Sequence, residues 1–375
     1  VLALQAKKYP DIDMPTAITQ IAGRKVAAEK IPSWWEIEKI WYPKHLSLEQ
    51  CSSEITARYK ARLLQGDSLT DLTGGFGIDC SFLATGFKSA TYVERQEELC
   101  EIAAHNFPVL NLNHINIKNE DGVTYLQVMS PVDCLFLDPA RRNEHGGKTV
   151  AISDCEPNVA ELEELLLQKA NRVMIKLSPM LDLSLALKEL KQTQEVHILS
   201  VNNECKELLI LLGQTSPAEI SIHCVNLFTK GTQKEQHFVF TREQEQCSEC
   251  TYTDSLETYL YEPNASLLKA GAFRSIAAAY PVRKLHPNSH LYTSDTFIEN
   301  FPGRIFRIVN QCSFNKKEVK ENLADLKKAN VTVRNFPATV AELRKRIHLA
   351  EGGDTYLFAS TLNNGQKVLI RCEKV

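Results

Sequence analysis

The chain has 375 residues, of which 43% are hydrophobic and 24% are charged, and its formal net charge is -3. This length predicts more than one domain, and the composition is typical of globular proteins. No run of about 18 apolar residues occurs, which excludes a membrane-spanning helix. The opening residues 1–13 lack the basic start and long apolar stretch of a signal peptide.

The eleven cysteines are scattered along the chain, and most of them stand in apolar stretches, as Cys312 does. This pattern predicts buried thiols in a reducing compartment, so we expect a cytoplasmic protein. Cys247 and Cys250 form a CxxC pair that could be half of a zinc site. No second pair at a suitable spacing accompanies it, and we therefore predict no bound metal.

Residues 1–65 predict a small N-terminal helical region. The region contains no strand-like run, and prolines at positions 32 and 43 divide it. The three segments rich in helix-forming residues are 16–30, 34–42 and 47–64.

Residues 66–214 predict a Rossmann-like α/β domain. From Ser68 onwards, short apolar runs alternate with helical patterns, which is the signature of βαβ units and a parallel sheet. The seventh run, 207–212, follows the sixth, 196–201, after a turn too short for a crossover helix. We therefore expect the last strand to return antiparallel. Five βα units and a terminal hairpin are typical of the seven-stranded sheet of class I methyltransferases.

The rest of the chain predicts α+β structure. In residues 215–300, two strand-like runs indicate a hairpin around residues 230–231, and residues 266–280 have a helical pattern. Residues 301–375 follow the order strand, helix, strand, helix and two closing strands. The turn at Asn364–Gly365 is a strong hairpin signal between those last two strands. The order βαβαββ predicts a small α+β domain.

A glycine-rich turn follows the first strand of the parallel domain, where an open α/β sheet presents its ligand crevice. The carboxylate at the strand end suits the ammonium group of an amino-acid ligand better than a pyrophosphate. The GGxG spacing also differs from the GxGxxG fingerprint of nicotinamide-binding proteins. Both features favour S-adenosylmethionine (SAM) as the cofactor. The predicted cofactor-binding residues of this turn are Asp71, Thr73, Gly74, Gly75, Phe76 and Gly77.

Polar residues also follow the next three strands. Glu94 ends the second strand, where an acidic group can accept hydrogen bonds from both ribose hydroxyls. After the third strand, Asp121 offers an acceptor for the adenine amino group, and Gly122 offers a backbone N–H to the ring. Asp138 follows the fourth strand and belongs to the same predicted site. Asp71 or Asp121 taken alone could merely cap a helix.

The predicted catalytic residues are Asp138 and Arg141. Asp138 would accept a proton or orient the nucleophile, while Arg141 and Arg142 would clamp a substrate phosphate. The two arginines could alternatively be solvated loop charges. Lys176, in the apolar fifth strand, would be costly to bury unpaired, so we expect it at the mouth of the crevice. Either a salt bridge or a substrate contact would satisfy it there.

Several segments resemble bacterial SAM-dependent methyltransferases that carry a THUMP-like C-terminal domain. They are DLTGGFGID, DPARR, IKLSPMLD, YEPNASLLKAGAF, KLHPNSHLYTSD, FPGR and VRNFPATVAELRKRIHLAEGGDTYLFASTL. The resemblance covers nearly the whole chain. After the N-terminal part it implies a catalytic domain at 66–214, a ferredoxin-like segment at 215–300 and a THUMP-like domain at 301–375. THUMP domains proper bind RNA in RNA-modifying enzymes, so the resemblance implies an RNA substrate, tRNA or rRNA.

The fourth motif departs from the pattern of enzymes that methylate exocyclic amines of bases. Those enzymes have Asp or Asn, two prolines and an aromatic ring that stacks on the flipped base. Ala140 and Arg141 stand here in place of the second proline and the ring, which argues against an exocyclic amine. The DPAR sequence is nearer to the DPPR of some RNA ring-carbon methyltransferases. However, Cys134 lies inside the fourth strand and is predicted to be a core residue.

We predict a SAM-dependent methyltransferase that acts on RNA. The alternatives are a methyltransferase of a protein or small molecule and a noncatalytic RNA-binding protein. The net charge provides no overall attraction to RNA, so binding would depend on local basic patches. The predicted patch comprises Arg344, Lys345 and Arg346 with Lys327 and Lys328, although the same charges could simply be solvated. The second candidate patch comprises Arg274, Arg283, Lys284 and His286.

Overall fold

The computed structural model describes residue 11, residues 13–141 and residues 151–375, and of Arg141 it describes the main chain. The chain divides into two compact units. The first comprises Val1–Leu199 and Lys206–Ile220, and the second comprises Ser200–Cys205 and Ser221–Val375. No helix among the described residues is long and apolar enough to cross a membrane.

The first unit begins with the predicted helical region. Asp13 caps the first helix by accepting a hydrogen bond from the backbone N–H of Thr16, and Pro32 starts the second helix. The four helices are α1 (Met14–Lys30), α2 (Pro32–Trp35), α3 (His45–Gln50) and α4 (Glu54–Ala61).

The segment 34–42 is helical only at its start, contrary to the helical pattern of its sequence. Ile40 and Tyr42 are buried whereas Trp41 between them is 48% exposed. Turns at residues 36, 38 and 39 end the helix, so burial of Ile40 and Tyr42 outweighs the helical propensity of the segment.

The α/β part of the first unit follows. Its strands are β1 (Ser68–Asp71), β2 (Ser89–Glu94), β3 (Ile115–Asn119), β4 (Val132–Leu137), β5 (Ala140–Arg141), β6 (Cys155–Glu156), β7 (Ala170–Leu177), β8 (Thr193–Val201) and β9 (Glu204–Gly213). Its helices are α5 (Ile78–Ala84), α6 (Glu97–Val109), α7 (Gly122–Val128), α8 (Val159–Lys169) and α9 (Leu183–Glu189). Strands β5 and β6 form a separate antiparallel pair.

The main sheet of this unit has the strand order β8-β9-β7-β4-β1-β2-β3. Strand β1 is central and pairs in parallel with β2 and β4. Strand β9 inserts antiparallel between β7 and β8, which confirms the predicted hairpin. The connecting residues Asn202 and Asn203 both have positive φ angles, 50° and 68°, as a tight hairpin turn requires. The architecture is the expected class I methyltransferase fold.

The second unit begins with a hairpin and a short helix. Strands β10 (Ser221–Leu227) and β11 (Glu235–Phe240) are antiparallel around residues 230–231, as predicted. Helix α10 (Arg242–Cys247) follows them. Residues 266–280 had a single helical pattern in the sequence, but in the structure this segment forms two helices. Gly271 ends the first of them with a φ of 76°, a left-handed conformation that favours glycine and stops the helix.

The second unit also contains a seven-stranded sheet in the order β13-β14-β12-β15-β18-β17-β16. Its elements, with the two helices just described, are β12 (Tyr259–Pro263), α11 (Ala265–Ala270), α12 (Phe273–Ala279), β13 (Arg283–Lys284), β14 (Tyr292–Ser294), β15 (Gly303–Ser313), α13 (Lys316–Leu323), β16 (Lys328–Val333), α14 (Val340–Ile347), β17 (Ala350–Thr361) and β18 (Lys367–Lys374). From β15 onwards these follow the predicted βαβαββ order. Leu323 and Leu343, one from each of α13 and α14, pack in one core cluster with residues of β17 and β18.

Candidate active site

The carboxyl ends of β1, β2 and β4 place three of the predicted acidic residues around one turn. The turn between β1 and α5 connects them through its own atoms. The N–H of Thr73 donates to Asp71 Oδ1 at 2.9 Å, and the N–H of Gly75 donates to Glu94 Oε2 at 2.9 Å. The Thr73 hydroxyl accepts from the N–H of Asp138 at 2.6 Å. The structure therefore brings together residues that lie far apart in the sequence.

Asp71 is the most deeply buried of these carboxyl groups. It is 1% exposed, and its Oδ2 atom has no hydrogen-bond partner. Burial raises the pKa of Asp71 to about 8. Repulsion from Asp79 and Asp138 also raises this pKa, whereas the hydrogen bond from the N–H of Thr73 lowers it. A buried carboxyl oxygen without a partner is costly, so this position favours a ligand that brings a positive donor group.

Glu94 is held by the backbone on both sides. In addition to the contact with Gly75, its Oε1 atom accepts from the N–H of Gln96 at 2.8 Å. A carboxylate has about four acceptor sites, so these two bonds leave capacity for further donors. Tyr92 donates its hydroxyl proton to the Gly75 carbonyl, and its ring lies against Gly74. The first two glycines of the turn are thus fixed by residues of β2.

Phe76 and Gly77 complete the turn. The Phe76 ring is 4% exposed and packs against Trp34 and Tyr42, at centroid distances of 5.2 and 6.3 Å. Its ring therefore belongs to the core shared with the N-terminal helices, and any ligand contact would come from its backbone. Gly77 precedes α5 with a φ of 83°, which favours glycine.

Asp121 and Gly122 lie at the end of β3. Asp121 is the N-cap of α7, and its Oδ1 atom accepts from the N–H groups of Val123 and Thr124, both at 3.0 Å. The capping role is therefore present, and a role at adenine stays a prediction. A Cβ atom on Gly122 would lie 2.1 Å from the Leu72 carbonyl oxygen, so close approach of this turn to the end of β1 requires glycine.

The predicted catalytic residues follow β4. The Asp138 side chain is 39% exposed, and its Oδ2 atom lies 2.6 Å from Nζ of Lys176. Arg141 belongs to β5, where its backbone pairs with Cys155. Arg142 lies outside the described residues. The Lys176 side chain is 9% exposed rather than at the mouth of the crevice, and a salt bridge satisfies it, because three oxygens surround its ammonium group.

A buried ionic cluster lies beneath Asp138, and of its members only Lys176 was singled out from the sequence. Asp79 accepts from Lys176 and from the Ser52 hydroxyl through Oδ2, at 3.1 and 2.7 Å. Lys60, from helix α4, lies 3.1 Å from Asp79 Oδ1 and 2.7 Å from Glu207 Oε1. We call Lys60, Asp79, Lys176, Glu207 and Ser52 the ionic cluster.

Lys176 and Asp79 keep their charges although they are buried. Burial opposes the charged form of Lys176, but Asp138, Asp79 and Glu207 outweigh it and raise the pKa of Lys176 well above its usual value. Burial likewise opposes ionisation of Asp79, but Lys176, Lys60 and the Ser52 hydroxyl lower its pKa far below the usual range. The only signal in the sequence was Lys176 inside an apolar strand, because the partners of this lysine come from distant segments.

Two cysteines, Cys134 and Cys51, have raised pKa values and are therefore poor nucleophiles. Cys134 is buried in β4, as predicted, and burial raises its pKa to about 11. Burial also raises the pKa of Cys51, at the end of α3, to about 11. Among the described residues, no group of three metal-binding side chains contains Cys247 or Cys250.

The two candidate basic patches differ in exposure. Lys327, Lys328 and Lys345 are exposed, whereas Arg344 pairs with Glu351 at 3.7 Å and its side chain is only 17% exposed. The guanidinium of Arg346 lies 4.1 Å from the centroid of the Phe314 ring.

The second patch is largely occupied by internal contacts. Lys284 is buried, with Nζ 2.7 Å from the Pro287 carbonyl oxygen and 5.0 Å from the centroid of the Phe273 ring. Arg283 pairs with Glu257, and His286 Nδ1 lies 2.9 Å from Asn335 Nδ2.

Comparison with known proteins identifies the two C-terminal domains. Residues 259–302 match a ferredoxin-like domain family, and residues 303–374 match a THUMP domain-like family. No curated protein matches the chain.

Among solved structures, the chain is similar to one named "putative methyltransferase from Porphyromonas gingivalis W83". The identity is 37%, the match covers 97% of this chain and 92% of that one, and the TM-score is 0.88. A methyltransferase from Streptococcus mutans in complex with SAH, also named putative, is 14% identical, and the match covers 43% of this chain and 96% of that one. An rRNA methylase from Streptococcus thermophilus is 15% identical over 42% of this chain and 93% of that one. Both TM-scores are 0.31. The first match is sufficient: the chain belongs to the family of class I methyltransferase proteins with a THUMP-like C-terminal domain that includes the Porphyromonas gingivalis protein.

Proposed function

We propose that this protein is a SAM-dependent methyltransferase that acts on RNA. The observation that carries the proposal is the buried Oδ2 atom of Asp71, which has no partner at the end of β1. The ammonium group of SAM would supply the missing positive donor. The phosphates of a dinucleotide would instead bring negative charge next to three carboxyl groups, those of Asp71, Glu94 and Asp138.

The remaining cofactor contacts follow from the strand ends. In this proposal Thr73 and the glycines at 74, 75 and 77 contact the amino-acid part through their backbone, as does Phe76. Glu94 accepts hydrogen bonds from the ribose, and Asp121 and Gly122 contact the adenine. SAM supplies a methyl group on a positively charged sulfur, which is already activated for transfer. The protein then needs mainly to align donor and acceptor and to exclude water.

The acceptor side is assigned to Asp138 and Arg141. Asp138 is partly exposed and is fixed by both its main chain and its side chain, through Thr73 and Lys176. A carboxylate in this position can orient an acceptor and take its proton. Arg141 in β5 would contact a phosphate of the substrate.

RNA as the substrate is supported by the charge of the THUMP-like domain. Residues 303–374 contain fourteen Lys and Arg against seven Asp and Glu, whereas the whole chain has 43 against 46. A local excess of positive charge attracts a polyanion even when the whole protein is acidic. The exposed lysines 327, 328 and 345 are the first candidates for phosphate contacts.

We propose the division into an N-terminal helical region at 1–65, a methyltransferase domain at 66–214, a ferredoxin-like segment at 215–300 and a THUMP-like domain at 301–375. We also propose a cytoplasmic location, because all eleven cysteines are free thiols, as is usual in a reducing compartment.

The decisive experiment is transfer of a radiolabelled methyl group from SAM to RNA, with total cellular protein and small-molecule extracts as competing acceptors. Label in acid-precipitable, ribonuclease-sensitive material is the expected result. Label only in protein or in small molecules would overturn the assignment to RNA. SAM binding without any transfer would favour a noncatalytic protein.

A further inference from the structure

We propose that the atom methylated is a hydroxyl oxygen, the 2′-hydroxyl of a ribose in RNA, with Asp138 as its base and Lys176 as the residue that positions Asp138. The inference rests on the proposed RNA methyltransferase function and names the acceptor of that same site.

Asp138 is accessible, whereas the residues of the ionic cluster beneath it are buried. The Asp138 side chain is 39% exposed, whereas the four charged side chains of the ionic cluster are each 10% exposed or less. Of the residues in this group, an acceptor can therefore reach Asp138 first. Lys176 contacts Asp138 at 2.6 Å and is itself held by Asp79 and by Ser52, each at 3.1 Å. These three contacts match the three donors of an ammonium group.

The charges of the ionic cluster balance without Asp138. Lys60 and Lys176 are opposed by Asp79 and Glu207, all four deeply buried. Lys60 pairs with both carboxylates of this quartet. The arrangement thus places the ammonium group of Lys176 directly beneath the accessible carboxylate of Asp138, and Lys60 from helix α4 pairs with the buried carboxylates of Asp79 and Glu207. The Asp138 carboxylate is partly solvated and would be stable without a buried lysine beside it. The contact with Lys176 is therefore better explained by a role in positioning Asp138.

This pairing fits an oxygen acceptor better than a nitrogen or a carbon acceptor. A neutral amine gains positive charge as it attacks, and a fixed ammonium group nearby opposes that charge. A hydroxyl gains negative charge as it loses its proton, and the same ammonium stabilises it. Methylation of a pyrimidine ring carbon through a covalent intermediate needs a reactive thiol, and burial raises the pKa of Cys51, next to Ser52 of the ionic cluster, to about 11.

The proposed step balances as a direct displacement. The hydroxyl oxygen forms a bond to the methyl carbon while the carbon–sulfur bond of the sulfonium donor breaks and its electron pair stays on sulfur. The hydroxyl proton moves to the Asp138 carboxylate and then to water. The products are a 2′-O-methyl ribose, a neutral thioether and one proton, so no oxidant or further reactant is needed.

The first test identifies the product. The full-length protein is incubated with SAM and with unmodified ribosomal and transfer RNA transcribed in vitro, and the digested RNA is examined by nucleoside mass spectrometry. We expect 2′-O-methyl nucleosides and, at the same positions, resistance to alkaline cleavage. Base-methylated nucleosides would overturn this inference and leave the RNA methyltransferase function intact. No transfer to any RNA would overturn both.

The second test uses variants of the supporting lysine. Lys176→Met should lower kcat about 100-fold or more with the KM for RNA unchanged, and Lys176→Arg should recover part of the loss. Calorimetry with S-adenosylhomocysteine should give affinities within about threefold of the parent for both variants. Lys169→Met is the matched control, because that lysine contacts the Met129 carbonyl oxygen away from the site. A Lys176→Met variant that is folded, binds this ligand normally and retains the parent kcat would contradict the proposed role. If Lys176→Met does not fold, the proposal is tested with Lys176→Arg and with Asp138→Asn, a change at a partly exposed residue. A parent kcat in Asp138→Asn would overturn the assignment of Asp138 as the base.

Discussion

Oδ2 of Asp138 and Nζ of Lys176 lie 2.6 Å apart, although the first atom belongs to a half-exposed side chain and the second to a buried one. The pair connects the end of β4 to the ionic cluster, and through Lys60 to helix α4. A chain of contacts through Asp79 and Lys176 therefore links the proposed acceptor residue Asp138 to Lys60 of the N-terminal helical region, more than 70 positions earlier in the sequence.

Removal of the two cofactor-side carboxylates should abolish cofactor binding. The double variant Asp71→Ala, Glu94→Ala should lose at least about 100-fold in affinity for SAM and S-adenosylhomocysteine, since hydrogen bonds to charged groups each contribute about 1.5–3 kcal/mol. Isothermal titration calorimetry is the measurement. Asp67→Ala is the matched control, because that side chain is exposed and pairs with Lys88. Unchanged affinity in a folded double variant would place the cofactor elsewhere.

Replacement of the acceptor-side carboxylate should separate binding from turnover. Asp138→Ala should abolish methyl transfer and leave the affinity for SAM within about threefold, because in our proposal the side chain faces the acceptor. Lys176 keeps Asp79 as a partner in this variant, so the fold should survive. Single-turnover kinetics and calorimetry check the two parts, and transfer at the parent rate would make Asp138 a structural residue.

The ligand-free protein should lose stability as the pH rises, because of Asp71. Its pKa is raised to about 8 in the folded state, mainly by burial, against about 3.9 in an unfolded chain. A raised folded-state pKa favours folding at low pH, and the contribution disappears as the pH rises from about 4 to 8. Chemical denaturation at several pH values should therefore show the free energy of unfolding falling relative to Asp71→Asn. Parallel pH profiles for the parent and the variant would mean that Asp71 is ionised in the folded protein.

The ionic cluster should make Lys60 important for stability. Lys60→Met leaves Glu207 without its buried partner, and loss of one member of a buried pair costs about 3–5 kcal/mol. The double variant Lys60→Met, Glu207→Met should recover part of this loss, because no unpaired charge remains at that position. Denaturant unfolding measures both, with the 79% exposed Lys88, changed to Met, as a control expected to shift stability by less than about 0.5 kcal/mol. A double variant that is less stable than the single variant would contradict the pairing.

RNA affinity should depend on the exposed lysines of the THUMP-like domain. A triple variant, Lys327→Ala, Lys328→Ala and Lys345→Ala, should bind structured RNA more weakly and with a salt slope smaller by about 2 to 3, since each phosphate contact contributes about 0.7–0.9 to that slope. Filter binding at several salt concentrations is the measurement. The matched control removes three exposed lysines of the first unit, Lys25, Lys39 and Lys88. Equal slopes for both triple variants and the parent would move the RNA surface elsewhere.

Periodicity and turn chemistry in the sequence determined most of the fold. Alternating apolar runs and helical patterns predicted the parallel sheet, and the short turn before residues 207–212 predicted the antiparallel strand β9. The Asn364–Gly365 turn predicted the hairpin of β17 and β18. These signals are local, because strands, helices and tight turns depend on residues close together in the chain. Where burial acts through distant contacts, as at Ile40 and Tyr42, the local helical pattern was misleading.

The candidate site likewise contains some residues that local sequence patterns indicate and others that only distant contacts bring together. The carboxylates at the ends of β1, β2 and β4 could be recognised from the sequence, because strand ends of a parallel sheet meet at one edge. Only the tertiary structure decided that Lys176 is buried, that Phe76 packs on the N-terminal helices, and that Lys60 and Glu207 belong beside Asp79. Lys60 and Glu207 are 147 positions apart, and a salt bridge between distant segments leaves no pattern in either of them. The position of each partner is set by how the helices and strands pack, which short-range spacing does not encode.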